Sequence, residues 1–302
     1  MEFYGIYTPV ITPHFDDFTI DEDGFAAVIE HLIAEGVHGI IIAGTTGEYY
    51  AQSMEERVRM LNLGVEIING RVPAIGGTGA MRTEDSIYLA KAAKSAGVEA
   101  ILVATPPYSV PTGRENALHA LSVERAVDLP VMLYNYPGRM AAEMDEEFLD
   151  RVGQSANFKA IKESSGDINR VHMLARRYPH ISLSCGMDDQ ALEFFAWGAR
   201  SWVCAASNFA AKAHIALWQA CVAEGNFTKG RRIMTAMLPL MQVLEQGGKF
   251  IQSVKYGVSR AGLPAGVPRL PLKPLNKDEK RTLDQVIDRM NNTIDRILAE
   301  DV

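Results

Sequence analysis

Eight short apolar runs recur along the chain, and most are followed by a stretch of helical periodicity. The runs occupy residues 5–10, 39–43, 72–75, 100–104, 131–134, 158–162, 181–184 and 202–205. Helical patterns follow at about 22–35, 53–69, 83–96, 114–126, 145–152, 168–177, 188–197 and 211–224. Ser53 and Glu56 have the spacing of a capping box, and the helix from Thr83 is expected to start the same way. Strands alternating with helices imply βαβ units and a parallel sheet. Eight such units fit a closed barrel. A doubly wound open sheet would share the rhythm, but its G-x-G-x-x-G fingerprint is absent after the first run. The expected fold is therefore α/β, a (β/α)8 TIM barrel over residues 1–225. Residues 226–302 are expected to form a C-terminal helical extension packed on it. Its helices are placed at about 228–245, 249–260 and 277–299, with a Pro- and Gly-rich connection over 262–274.

Composition narrows the function class. Hydrophobic residues make up 47% of the 302 and charged residues 22%, which suits a globular core of this length. The net charge is −7 and no basic block stands out, which argues against nucleic acid as a partner. No apolar stretch reaches the roughly 20 residues needed to cross a bilayer. The N-terminus lacks a basic segment followed by a long apolar run, so no signal peptide is expected. Cys185, Cys204 and Cys221 are odd in number and show no C-x-x-C spacing. A reducing compartment, the cytoplasm, is the expected location.

In a closed barrel, catalytic groups gather where the strands end. The second run ends in Gly44-Thr45-Thr46-Gly47-Glu48, either an ordinary turn or a cradle of N–H groups and hydroxyls for a carboxylate. The fourth ends in Thr105-Pro106-Pro107-Tyr108, whose prolines stiffen a loop presenting Tyr108, as a packing aromatic or a functional one. The fifth ends in Tyr134-Asn135-Tyr136-Pro137-Gly138-Arg139. A tyrosine there can relay protons and Arg139 can hold a carboxylate; a core tyrosine and a surface arginine are the plainer alternative. The sixth ends in Ala160-Ile161-Lys162-Glu163-Ser164-Ser165-Gly166. Alternation puts Phe158, Ala160 and Lys162 on one face. If that face points inward, desolvation frees a neutral amine to attack a carbonyl; if outward, the lysine snorkels between helices. Gly186, after the seventh run, leaves room for a ligand, and Asp188 and Asp189 read as a helix N-cap and first turn. Gly76-Gly77-Thr78-Gly79 reads as a tight turn near the site. The seven histidines are scattered without metal-ligand spacing, so no metal is expected.

Taken together, GTTGE at 44–48, YNYP at 134–137 and IKESSGD at 161–167 resemble the dihydrodipicolinate synthase and N-acetylneuraminate lyase family of class I lyases. The resemblance implies that Lys162 forms a Schiff base with a 2-oxo acid such as pyruvate and that Tyr134 shuttles protons. It implies that Thr45 links Tyr134 into a relay and that Thr46, with Gly44 and Gly47, holds the pyruvate carboxylate. Arg139 matches the arginine that receives the second substrate's carboxylate, and Gly186 and Val203 match positions lining the pyruvate pocket. Tyr108 matches a tyrosine that crosses a tight dimer interface, so a homotetramer built from dimers, or a homodimer, is implied. No cofactor is implied. Tyr49, Tyr50, Met54, Arg57, Met81 and Pro107 stand at the positions of the synthases' lysine feedback site, and their bulk implies no lysine inhibition. The turn PGRM and the segment TPPY depart from the synthase pattern. The resemblance is closest to 4-hydroxy-tetrahydrodipicolinate synthase, joining pyruvate to aspartate semialdehyde. It also leaves open a keto-deoxy sugar acid aldolase or dehydratase, a 4-hydroxy-2-oxoglutarate aldolase, or a hydroxypyrroline-carboxylate deaminase. A non-catalytic barrel acting as a binding module is the alternative from another class.

Overall fold

Each apolar run becomes a strand, and each strand pairs in parallel with the next. The computed structural model describes residues 1–300; 301 and 302, the end of the expected extension, lie outside them. The strands are β1 (Gly5–Pro9), β2 (Gly39–Ile42), β3 (Ala74–Gly77), β4 (Ala100–Ala104), β5 (Val131–Asn135), β6 (Phe158–Glu163), β7 (Ser182–Cys185) and β8 (Ser201–Val203). β8 pairs back onto β1, which closes the barrel. The fold is the expected (β/α)8 TIM barrel.

The helices are α1 (Glu22–Ala34), α2 (Met54–Ile68), α3 (Thr83–Ala96), α4 (Gly113–Val127), the single turn α5 (Pro137–Met140), α6 (Glu146–Val152), α7 (Ile168–Arg177), α8 (Ala191–Ala196) and α9 (Ser207–Trp218). Local chemistry sets their starts. Ser53 and Glu56 form the expected capping box on α2, and Thr112 with Glu115 forms another on α4. The start of α3 differs from expectation. Arg82 is its N-cap without a side-chain bond, and Thr83 Oγ1 instead lies 3.0 Å from His119 Nδ1. Position 86 is a serine too short to complete a box, so the threonine takes a tertiary partner.

Strand alternation sorts the core into two shells. Tyr7, Ile41, Ile75, Leu102, Met132, Tyr134, Ala160 and Val203 pack inside the barrel. Ile6, Ile40, Ile42, Ile101, Val103, Leu133, Ile161 and Trp202 pack between strands and helices. Phe158 belongs to the outer shell, not to the face of Ala160 and Lys162 as expected. The β5–β6 register shifts there: Val131 pairs with Phe158 but Met132 with Ala160. The extra residue, Lys159, resets the alternation.

Three helices complete the described chain: α10 (Phe227–Gln246), α11 (Phe250–Arg260) and α12 (Lys277–Ala299). A buried polar knot ties α11 and the connection that follows it to the barrel mouth. Lys255 Nζ on α11 lies 2.7 Å from Glu48 Oε1 and donates to Val267 O at 2.7 Å. Glu48 Oε2 accepts from Arg269 N at 2.9 Å, and the Arg269 guanidinium pairs with Glu56. His14 Nδ1 lies 3.0 Å from Lys255 Nζ, and burial with the nearby Lys255 cation pushes its pKa down to about 3. Neutral His14 can therefore accept from the ammonium. Among the described residues, no helix is long and apolar enough to cross a membrane.

Candidate active site

The ends of β5 and β6 carry chemistry on one face and an anchor on the other. Tyr134 pairs in register with Lys162, and the next pair is Asn135 with Glu163. Inward, the Lys162 ammonium lies 4.1 Å from the centroid of the Tyr134 ring. Outward, Glu163 is 1% exposed and fully held. It accepts from Asn135 Nδ2 at 2.9 Å, Ser165 N at 2.7 Å and Arg170 Nε at 3.1 Å. Asn135 Oδ1 accepts from Met144 N in turn. A satisfied buried network of this kind fixes the register of the two strand ends. The sequence left two orientations for Lys162, and it points inward.

Burial governs the electrostatics. Desolvation pushes the Lys162 pKa down, against a smaller upward pull from the acidic side chains of Asp188 and Glu245. Lys162 is half-buried: protein surrounds it, but the pocket mouth stays open above it. Burial drives the Tyr134 phenol well above its ordinary range, with Arg139 and Thr45 pulling it back. Thr45 sits close enough to assist Tyr134, yet its Oγ1 is buried without a hydrogen bond of full geometry among the described residues.

Gly44, Thr45, Thr46, Tyr134, Arg139, Lys162, Gly186 and Val203 all line one pocket at the barrel mouth. Glycine at 186 has a steric reason: a Cβ there would fall 2.1 Å from Ser164 Oγ and 2.7 Å from Lys162 Cγ. Two of the expected site residues lie elsewhere. Gly47 is buried beside the pocket, and its carbonyl accepts from Thr12 Oγ1 at 2.9 Å and Gln52 Nε2 at 2.9 Å. Tyr108 is 90% exposed and lines no part of this pocket. The glycine run at 76–79 is only partly a turn. Gly76 and Gly77 end β3, where a Cβ on Gly77 would meet Ala43 O at 2.3 Å.

Among the lining residues that the sequence did not place in the site are Asp188, Tyr136, Glu245 and Phe250. Asp188 is not the N-cap of α8. It lies in a 3-10 turn, 3% exposed, and accepts from Trp202 Nε1 at 2.8 Å. Burial raises its carboxyl pKa to about 6. Glu245, near the end of α10, is pushed up to about 8 by burial and by Asp188 and Asp189. Arg139 stacks over the Tyr136 ring at 5.5 Å. The three cysteines are separate buried thiols. Among the described residues, no group of three or more His, Cys, Asp or Glu is placed to hold a metal ion.

Known proteins share this architecture and its length. A model of the dihydrodipicolinate synthetase family matches residues 2–290. The chain belongs to the dihydrodipicolinate synthetase family. The 4-hydroxy-tetrahydrodipicolinate synthase of Bacillus velezensis is 35% identical over 292 residues, covering 95% of this chain and 99% of that one. The 4-hydroxy-tetrahydrodipicolinate synthase structure from Methylacidiphilum fumariolicum SolV superposes with a TM-score of 0.92 at 29% identity, covering 99% of each chain. YagE, a prophage protein of the dihydrodipicolinic acid synthase family from E. coli K12 solved in complex with pyruvate, gives 0.88 at 27% identity, covering 96% of this chain and 99% of that one. As a dihydrodipicolinate synthetase family member, the chain is a lyase of the class I aldolase type, which works through a lysine Schiff base.

Proposed function

We propose that this protein joins pyruvate, or a closely related 2-oxo acid, to an aldehyde through an imine on Lys162, most like 4-hydroxy-tetrahydrodipicolinate synthase acting on aspartate semialdehyde. The observation that carries the reading is the desolvated Lys162 amine facing Tyr134 inside the barrel. The neutral amine adds to the 2-oxo carbon, and water leaves as the imine forms. The imine is a better electron sink than the ketone, so the adjacent methyl carbon loses a proton. Tyr134, with Thr45 behind it, moves that proton, help worth about 10²–10⁴-fold. The enamine carbon attacks the aldehyde carbon, the new alkoxide takes a proton, and hydrolysis returns the free amine. Gly44, Thr46 and the pocket walls at Gly186 and Val203 hold the 2-oxo acid. Arg139 takes the partner's carboxylate bidentately.

Tyr108 enters this reading through a second copy of the chain. Its exposure and its left-handed backbone, φ 71°, suit a side chain presented outward to a neighbour's relay. A homodimer is then the smallest complete unit and a homotetramer the family-like assembly, working in the cytoplasm. Arg57, buried with its guanidinium 4.8 Å over the Tyr49 ring, opposes a lysine ammonium nearby, and we expect no inhibition by lysine.

The deciding experiment is borohydride reduction in the presence of pyruvate, read by mass spectrometry. One adduct per chain, mapped to Lys162, is the expected result. A chain that stays unmodified would remove the imine mechanism and favour a binding module.

A further inference from the structure

We propose that Glu245 is a specificity-determining residue that reads a hydrogen-bond-donating group, hydroxyl or ammonium, beside the carboxylate that Arg139 holds in the second substrate. The inference rests on the Lys162 and Arg139 roles given above.

Glu245 comes from α10, outside the eight βα units, yet lines the same pocket as Lys162, Tyr136 and Arg139. It also lines the adjoining groove with Arg139, Tyr50 and Gln252. It is half-buried, and its carboxyl makes no hydrogen bond or ion pair with any described residue. Arg139 likewise has no carboxylate partner among the described residues; its guanidinium rests over Tyr136. A guanidinium and a carboxyl group thus face one cavity without bridging each other. The surroundings press Glu245 toward its protonated form, and burial with Asp188 and Asp189 is the cause. A donor supplied by a ligand would relieve that pressure.

Charge accounting points the same way. Arg139 and Lys162 are the two cations lining the pocket, and Asp188 and Glu245 the two acids. Asp188 already accepts from Trp202. Once Lys162 is an imine and Arg139 holds a carboxylate, Glu245 alone remains without a partner. A hydroxyl or ammonium one carbon from the bound carboxylate supplies it. A site built around a buried hydrogen bond rejects the analogue lacking the group far more strongly than an apolar pocket does.

Three matched four-carbon aldehydes test this: succinate semialdehyde and its 2-hydroxy and 2-amino counterparts, each with pyruvate. In the wild-type protein kcat/KM for one donor-bearing aldehyde should exceed that for succinate semialdehyde by about tenfold or more. Glu245→Leu should bring that ratio close to one while borohydride trapping of pyruvate is retained, which also reports that the variant is folded. Glu245→Gln separates the donors. Its amide carbonyl still accepts from a hydroxyl but carries no charge, so a kept preference assigns a hydroxyl and a lost one an ammonium. Equal use of all three aldehydes, a preference surviving in Glu245→Leu, or turnover of none by a protein that traps pyruvate would each overturn the proposal. Failure of the wild-type protein to trap pyruvate overturns instead the Lys162 reading beneath it.

Discussion

Lys255 Nζ and Glu48 Oε1 lie 2.7 Å apart with both side chains sealed from water, joining α11 to the residue that ends the Thr45–Thr46 turn. Removing one member leaves the other charge buried without its counter-charge. Lys255→Met should destabilise the fold by about 3–5 kcal/mol. The double variant Lys255→Met/Glu48→Leu should recover much of that loss, because an apolar pair replaces a desolvated ionic one. Denaturant midpoints at one pH measure both. A single variant as stable as the wild type would show that the pair carries no such charge penalty.

The roles of the two inward side chains separate by trapping and turnover. Lys162→Ala should lose both. Tyr134→Phe should keep slow trapping, since the amine is intact, while turnover falls by about 10²–10⁴-fold. Full turnover by Lys162→Ala is the result the mechanism cannot survive.

Asp188 raises the Lys162 pKa against the larger effect of desolvation. Imine formation needs the neutral amine, so the rate of trapping should rise with pH through a midpoint below that of an ordinary lysine. Taking away the Asp188 charge removes the upward pull. Asp188→Asn should therefore shift the midpoint to lower pH. A shift to higher pH would contradict the assigned sign.

Three buried histidines couple stability to acid. Burial pushes His14 to about 3, and His119 and His214 to about 4 each, from an ordinary 6.5. In the fold they stay neutral, whereas the unfolded chain protonates them below its ordinary value. The unfolded state then binds more protons, so stability falls as the pH drops from 6.5 toward 4. Each histidine contributes a slope of up to about 1.4 kcal/mol per pH unit in that window. His119→Gln should flatten the measured slope by about one proton's worth; an unchanged slope would mean that His119 titrates alike in both states.

The sequence made the eight strands legible because buried parallel strands read as apolar runs. Lys162 stood out because a lysine seldom ends such a run. Phe158 was misassigned because one irregular pairing, invisible in a period-two pattern, moves it to the other shell. Asp188 looked like a cap because aspartates before a helix usually are; its partner, Trp202, lies across the β7–β8 edge. Glu245 and Phe250 gave no signal, since an acid and an aromatic at helix ends are ordinary. Lys255 reaches Glu48 across more than two-thirds of the chain, and no local pattern encodes that.

Glu245 and Phe250 enter the pocket from helices that contribute nothing to the strand ring, whereas Lys162 and Tyr134 come from it and the threonines from the turn just after β2. On the proposed roles, Glu245 would add its part of partner choice from a stretch of polypeptide separate from the one that carries the amine, while Arg139 adds its part from the turn after β5. Exchanging the α10–α11 junction between relatives is a route to new aldehyde preferences that leaves the amine and its phenol untouched, and selection could have travelled the same route.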